Sequence, residues 1–399
     1  MWHRYVNLPT PVHLLCLGTF INRAGTLVIV FLSIYIKTEL KLSVELATWT
    51  IGAYGCGALL ASVIGGHLAD WIGRRAVMLI ALFGGAGVLL LFSTLESPAA
   101  IVTAAFGFAL IADMYRPAAS AMIADLVEPH DRVHAYGLMY YAINLGQSIA
   151  PVVGGYVAAY SYRWLFWGDA FTTSLYAGLI LFTIRETLPR RTGQAGSNPG
   201  QFSVPLRRAA VHILKDRPFM AYVLASFLSA MVYMQSLSTF PICLSQNGIG
   251  VATYGRLIAI NPIMIVLLQL PITSAIARYH RGTVIVAGTA ILGVGFGATG
   301  LVASVPLYAL TIMVWTLGEL LQAPLMQAIV SDMAPVNMRG RYMGVFSMAF
   351  SSAIMIGAPL GGWVLERFGG PYVWGGCLAV GLLASLIYRS IRAAIAAKP

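Results

Sequence analysis

Twelve apolar runs, each long enough to cross a bilayer as a helix, follow one another along the 399-residue chain. A spanning helix needs about 20 predominantly apolar residues, since hydrocarbon leaves backbone polar groups no partner outside the segment. The runs lie near 12–36, 45–70, 76–95, 98–126, 133–160 and 164–184. A second set lies near 218–246, 251–277, 283–303, 305–333, 340–366 and 371–391. Only 10% of residues are charged, whereas a soluble domain averages about 25%. The pattern predicts an all-α integral membrane protein with twelve transmembrane helices in two pseudo-symmetric six-helix bundles. The bundles are 1–184 and 218–399, and 185–217 joins them.

That connection is the only long polar stretch. Its Gly/Ser/Asn/Pro middle reads as flexible linker. Its tail, Val204 to Leu214, alternates basic and apolar positions behind Pro205 and is expected to lie on the membrane surface.

The halves are related by more than count. Pro117, Asp125, Arg132, Gly137, Gly154 and Gly155 recur 207 residues later as Pro324, Asp332, Arg339, Gly344, Gly361 and Gly362. Six matches in residue types foreign to the apolar background indicate duplication. Two copies of a unit that holds charge inside the membrane read as a transporter.

Orientation follows from the basic residues, which favour the cytoplasmic loops. With both termini cytoplasmic, that side carries 18 of the 25 Lys and Arg, among them Arg74, Arg75, Arg132 and Arg281. The opposite side carries Lys37, Lys41, Arg163, Arg256 and Arg367. The net charge of +11 is spread over these short loops rather than gathered in one patch, which argues against nucleic acid. The first apolar run lacks a small-x-small cleavage site and reads as a spanning helix, not a signal peptide.

Four charged residues, Arg23, Asp113, Arg116 and Glu319, fall near the middle of their runs. On insertion scales each costs about 2.5–3.5 kcal/mol at mid-membrane, so each needs a partner or water. Asp113 and Arg116 stand three apart and can pair across one helical turn. Arg23 and Glu319 share their depth, and Asn22, Gln235 and Gln322 add hydrogen-bonding groups. These residues lie on the first, fourth, seventh and tenth helices, so the expectation is a midplane substrate and proton cavity. Tyr115, Tyr140, Tyr233, Met231, Met234, Trp315 and Gln322 are candidate lining residues, apolar and adaptable. Glu319, with no nearby base in sequence, is the candidate proton carrier, and Asp113–Arg116 the gate or substrate contact. Asp169, near the outer end of the sixth helix, is expected to pair with Arg163 or a lipid headgroup, with a proton-linked role as the alternative.

Other chemistries find no support. Cys16, Cys56, Cys243 and Cys377 stand alone in apolar runs and form neither a disulfide framework nor a metal site. His67, His130 and His134 lack ligand spacing, so no metal is expected. Gly293-Val-Gly-Phe-Gly-Ala298 fits a dinucleotide fingerprint but lies inside an apolar run with no strand before it. Neither a nucleophile elbow nor HExxH is present, and the chain does not read as an enzyme.

After the second run stands Gly66-His-Leu-Ala-Asp70-Trp-Ile-Gly73-Arg74-Arg75. It resembles the G-x3-D-[RK]-x-G-[RK]-[RK] loop of the major facilitator superfamily, with Trp71 in place of a basic residue. Gly66 would allow close helix approach and Gly73 a tight turn. The resemblance implies a conformational latch of Asp70, Arg74, Arg75 and Asp125. In the second half RYHRGT, Arg278 to Thr283, stands where the loop would be, and the motif is expected to be lost.

The fifth run reads Gly137-x8-Gly146-x3-Ala150-Pro151-x2-Gly154-Gly155. It resembles the antiporter motif of that superfamily's drug:proton exporters, with Ala150 for one glycine, and Gly357-Ala-Pro359-Leu-Gly361-Gly362 is a degenerate copy. Arg116 is similar in place to an arginine these exporters carry on the fourth helix. The resemblance implies the twelve-helix drug:proton antiporter branch. This means a monomeric bacterial inner-membrane protein that exports small amphiphilic compounds by alternating access, with protons as coupling ion and no other cofactor. A proton-coupled importer, a dedicated metabolite or siderophore exporter, and a non-transporting sensor or lipid-handling protein use the same scaffold.

Overall fold

The computed structural model describes residues 8–128, 131–187, 206–276, 278–335 and 338–396. Helix is the only regular secondary structure among them apart from turns. Among the described residues, eleven helical stretches are long and apolar enough to cross a membrane. The fifth expected span is a helix too, Arg132–Tyr160 with 29 residues. Its Asn144, Gln147 and Ser148 dilute its apolar character. The linker tail forms the helix Leu206–Lys215.

Several expected runs are not continuous helices. The first span is Thr10–Ala24 followed by Val28–Thr38, and the fourth is Pro98–Ala112 followed by Tyr115–Leu126. The seventh is Arg217–Met234 followed by Phe240–Gln246, and the eighth Val251–Ile258 followed by Ile260–Ile276. Hydropathy is blind to such breaks, because a turn of apolar residues scores like a helix. The fifth, tenth and eleventh spans are unbroken, and each carries an internal proline: Pro151, Pro324 and Pro359.

The chain divides into two compact units. One comprises 1–189, 235–266 and 354–366; the other comprises 190–234, 267–353 and 367–399. The apolar core of the first gathers Leu15, Met78, Met122, Ile123, Tyr176 and Ile180. That of the second gathers Phe219, Tyr222, Ile285, Ile329, Tyr342 and Tyr388.

Small residues explain why the first unit includes pieces of the seventh, eighth and eleventh spans. A Cβ on Gly255 would lie 2.2 Å from the Pro151 carbonyl oxygen, and one on Gly155 would lie 3.2 Å from Ala252 Cα. The fifth span therefore meets the eighth backbone to backbone. The eleventh meets the second the same way: a Cβ on Gly362 would lie 1.8 Å from Thr48 Oγ1, and one on Gly52 2.7 Å from Pro359. Without a hydrophobic drive between helices in lipid, such close approach supplies the van der Waals contact that holds them. Polar bonds reinforce the seam at the ends away from the Gly73 loop. Ser33 donates to the Leu237 carbonyl at 2.9 Å, Tyr254 to the Val30 carbonyl at 3.1 Å, and the Glu45 N–H to Glu366 at 2.8 Å.

Gly255→Val is expected to destabilise the protein by about 1–3 kcal/mol, the usual cost of overpacking. Gly344→Val, where a Cβ meets nothing within 4 Å, should leave it unchanged. The temperature at which detergent-solubilised protein loses its monodisperse chromatographic peak checks both.

Candidate functional site

The break in the fourth span falls at Asp113 and Met114, between the helices Pro98–Ala112 and Tyr115–Leu126. Asp113 ends the first helix, and Arg116 lies in the first turn of the next. The Arg116 Nε stands 3.2 Å from Asp113 Oδ1, so the pairing expected from their spacing is present. Tyr54 of the second span donates to Asp113 Oδ2 at 3.5 Å. The Asp113 side chain is 13% exposed, whereas that of Arg116 is 61% exposed. The carboxylate is thus tucked in, and the guanidinium reaches outward.

In the first span, helix stops at Ala24 and restarts at Val28. Gly25 allows the chain to press on the sixth span, where a Cβ would lie 1.9 Å from Thr172 Oγ1. The restarting helix leaves N–H groups bare, and a bare N–H in an apolar surround costs several kcal/mol. Asp169 of the sixth span supplies the acceptor. Its Oδ2 accepts from Val28 N–H at 3.3 Å and, at 3.1 Å, from Leu27 N–H, which also meets the Gly25 carbonyl at 2.8 Å; its Oδ1 accepts from Thr173 Oγ1 at 3.4 Å. Asn22 donates to Thr173 Oγ1 at 2.9 Å, which joins it to the same chain of bonds. Arg23, half-buried, has its Nε buried without a hydrogen-bond partner. Asp169 is only 4% exposed. The expected pairing with Arg163 or a headgroup is therefore wrong: this acid faces inward and caps a broken helix. Its signal in the sequence was Gly25 in mid-run together with an acid inside another apolar run.

Several expected lining residues are packed instead. Tyr115 is 7% exposed; its hydroxyl lies 3.0 Å from Thr19 Oγ1 and 2.7 Å from the Tyr176 hydroxyl. Trp315, 2% exposed, stacks on Phe296 and meets the edge of Tyr233. Gln322 is buried, its Oε1 accepting from Ser229 and Thr289, each at 3.2 Å. Met234 is buried as well. Gln235 sits in the seventh-span break, where its Nε2 donates to the Gly357 carbonyl at 2.8 Å and its Oε1 accepts from Thr239 at 2.9 Å. These groups bond to neighbouring helices because nothing else in an apolar interior would satisfy them. Met231, Tyr233 and Glu319 are half-buried, and Tyr140 is exposed. Asn22, Arg23, Asp113 and Arg116 belong to the first unit, Glu319 and Gln322 to the second.

The loop after the second span is tied down by more bonds than expected. Gly73 adopts φ 110°, a conformation other residues rarely adopt, and so turns the chain into the helix Arg74–Phe92. Arg74 Nε lies 3.1 Å from Asp125 Oδ2. Glu186, just past the sixth span, accepts from the Arg74 and Arg75 N–H groups at 2.9 and 3.0 Å, capping that helix at its positive end. Thr187 donates to Asp125 Oδ2 at 3.0 Å, and Arg75 donates to the Leu181 carbonyl at 2.6 Å. Sequence reasoning missed Glu186 and Thr187, which carry no motif. The Asp70 side chain lies outside the described residues. Close approach to the fourth span is made by Gly65 rather than Gly66: a Cβ at 65 would lie 2.8 Å from Met114 Cα, one at 66 only 3.9 Å from Pro117.

The second half lacks the loop motif but keeps an ion pair at the equivalent place. Arg281 pairs with Asp332, and these are the positions 207 residues beyond Arg74 and Asp125. The fifth-span ladder seats where the repeated small residues suggest. A Cβ on Gly146 would lie 2.6 Å from Arg23 Cβ, and one on Gly154 2.6 Å from Phe31. Gly137 is exposed near the start of that helix.

The family model of the Major Facilitator Superfamily matches residues 15–251 and 236–396. The chain belongs to this superfamily. Like its relatives it is a membrane transporter rather than an enzyme. It is 26% identical over 399 residues to a Na(+), Li(+), K(+)/H(+) antiporter of Planococcus maritimus, covering 92% of each chain. It is 21% identical over 305 residues to the multidrug resistance protein MdtH of Yersinia enterocolitica, covering 76% of this chain and 74% of that protein. A solved structure of the peptide transporter POT superposes with a TM-score of 0.80 at 18% identity, covering 98% and 95% of the two chains. The last likeness concerns the fold alone.

Asp125→Asn is expected to reduce transport several-fold by opening the Arg74 pair. The charge swap Arg74→Asp with Asp125→Arg should restore part of the loss. Initial rates in reconstituted vesicles, corrected for protein amount, check this; no recovery in the swap would leave the pair without a functional part.

Proposed function

We propose that this transporter expels small amphiphilic compounds in exchange for protons. One observation carries the reading: the Asp113–Arg116 pair at the break of the fourth span, with the Asp113 side chain tucked in and the Arg116 side chain 61% exposed. An arginine at that depth is too costly to face lipid, so it faces water. A water-accessible cation beside a half-buried acid, at a discontinuous helix, is a recurrent form of binding site in transporters. Asp113 and Arg116 contact substrate or gate its passage. Glu319, half-buried on the tenth span, carries the proton. Tyr140, 47% exposed on the fifth span, offers an aromatic face to an apolar substrate.

Export rather than uptake is supported by the antiporter-type ladder of Gly146, Pro151, Gly154 and Gly155, and by the exchanger and resistance names of the two relatives. The positive-inside bias puts the Gly73 loop and both termini in the cytoplasm of a bacterial inner membrane. The protein works as a monomer, each copy carrying both repeats. A second reading, exchange of a monovalent cation for protons, is favoured by the Planococcus relative, which matches over 92% of this chain. In that case Asp113 and Glu319 would hold the cation in turn.

Purified protein in vesicles with an imposed pH gradient discriminates the two. A lipophilic cationic dye should accumulate against its gradient, and Glu319→Gln should lower that accumulation about tenfold, within the usual range of coupling energies. Dye-driven counterflow without a pH gradient should survive in the variant. Full gradient-driven transport by Glu319→Gln rules out its carrier role. Sodium, and not the dye, collapsing the gradient establishes the second reading instead.

A further inference from the structure

Asp169 takes no part in the exchange just outlined, yet it is the most completely buried acid at any of the helix breaks. It caps the outer half of the first span, the 11-residue helix Val28–Thr38, from a different helix. A helix restart of this kind is normally capped from its own chain, by the residue just before it. Here the residue before it is Leu27, which has no capping side chain. Leu27 N–H also meets the Gly25 carbonyl at 2.8 Å, so it is above all for Val28 N–H that the break depends on this side chain of the sixth span.

The neighbourhood is sparse in charge. From the first span, Arg23 acts on Asp169, and from the second span Tyr54 feels its charge. The third span's charged residues are Arg74 and Arg75, at its far end, and the fifth span has none after residue 134. On the sixth span itself Thr172 and Thr173 stand beside it, with Thr173 bonded to it. Two N–H donors already point at Oδ2 and an arginine stands nearby, an arrangement that does not suit a bound metal cation.

We propose that Asp169 is a positioning residue whose carboxylate clips the broken first span to the sixth, and that proton uptake on Asp169 opens the clip during the transport cycle. This rests on the chain being a proton-coupled transporter. In the ionised state Oδ2 accepts both N–H groups and holds the break at Gly25 to Leu27. A proton on Oδ2 neutralises the carboxylate and weakens the acceptor that Leu27 and Val28 share. The outer half of the span is then free to shift against the sixth. Arg23 and Asn22, on the last turn of the preceding helix, move relative to Val28 when it does. Proton occupancy in the first unit would thereby be read out in the backbone next to the Arg23 cluster.

Two measurements test this. Asp169→Asn keeps the shape and one acceptor oxygen but cannot titrate. Dye counterflow is expected to persist, while gradient-driven accumulation falls about tenfold and its pH dependence flattens. Wild-type accumulation with a wild-type pH profile in Asp169→Asn overturns the proposal. Because that variant could fail to fold, amide hydrogen exchange on the wild-type protein provides a second test. After correction for intrinsic rates, protection of residues 27–28 should fall on acidification while that of residues 15–19 stays constant. PH-independent protection at residues 27–28 also overturns it. A wild-type protein with no proton-coupled transport would instead defeat the reading under the proposed function, and the exchange experiment would still decide whether Asp169 clips the break.

Discussion

In hydrocarbon a backbone amide has nowhere to turn but to the protein, and this protein interrupts its helices where that constraint is harshest. Every other feature of the first unit follows from how the interruptions are satisfied. At Gly25 to Leu27 the donors are shared between the chain's own carbonyls and Asp169 of the sixth span, and Gly25 brings the two spans within reach. At Asp113 and Met114 the break is used to place a carboxylate and a guanidinium side by side. At Gln235 the side chain reaches to the Gly357 carbonyl in the eleventh span and to Thr239 at the start of the next helix. Each interruption costs helical hydrogen bonds, and each puts polar chemistry where a continuous helix would have none.

The duplication explains why the parts come in pairs. Arg74 with Asp125 and Arg281 with Asp332 keep the same offset and make the same ion pair. Thr19 and Ser226 keep it too, and each hydroxyl meets a tyrosine on the sixth helix of its own half, Tyr176 and Tyr388. The midplane does not repeat. Leu320 and Ala323 occupy the positions equivalent to Asp113 and Arg116, while the second half has Glu319 and Gln322 nearby. The packing and the loop ion pairs recur in both copies, whereas the midplane charges differ between them.

Much of this was legible in the sequence. The count of runs, the Gly73 turn, the Asp113–Arg116 pairing and the small-residue ladder all rest on local periodicity or short spacing, which a sequence displays directly. The helix breaks were hardly legible: Gly25 in mid-run hints at one, but a turn containing Thr26 and Leu27 scores nearly as apolar as a helix. The cap made by Asp169 lies 142 residues from Leu27, and no local pattern relates them. Tyr115, Trp315 and Gln322 were misread as lining for the same reason: position along a helix gives depth, but only packing gives the face. Glu186 belongs with these, as an acid beyond a run's end whose partner lies 112 residues away.

The functional account ties these features to one exchange, with a proton entering as an amphiphile leaves. It makes the two fluxes opposite in direction and obligatorily linked. The most direct measurement records both at once, in vesicles loaded with a pH-sensitive dye and containing purified protein, with no pH gradient imposed. Imposing an outward or inward gradient of the transported compound should drive protons in the opposite direction, and the proton flux should reverse when the compound's gradient is reversed. A compound that crosses with no proton movement, or with protons moving in its own direction, would contradict the account.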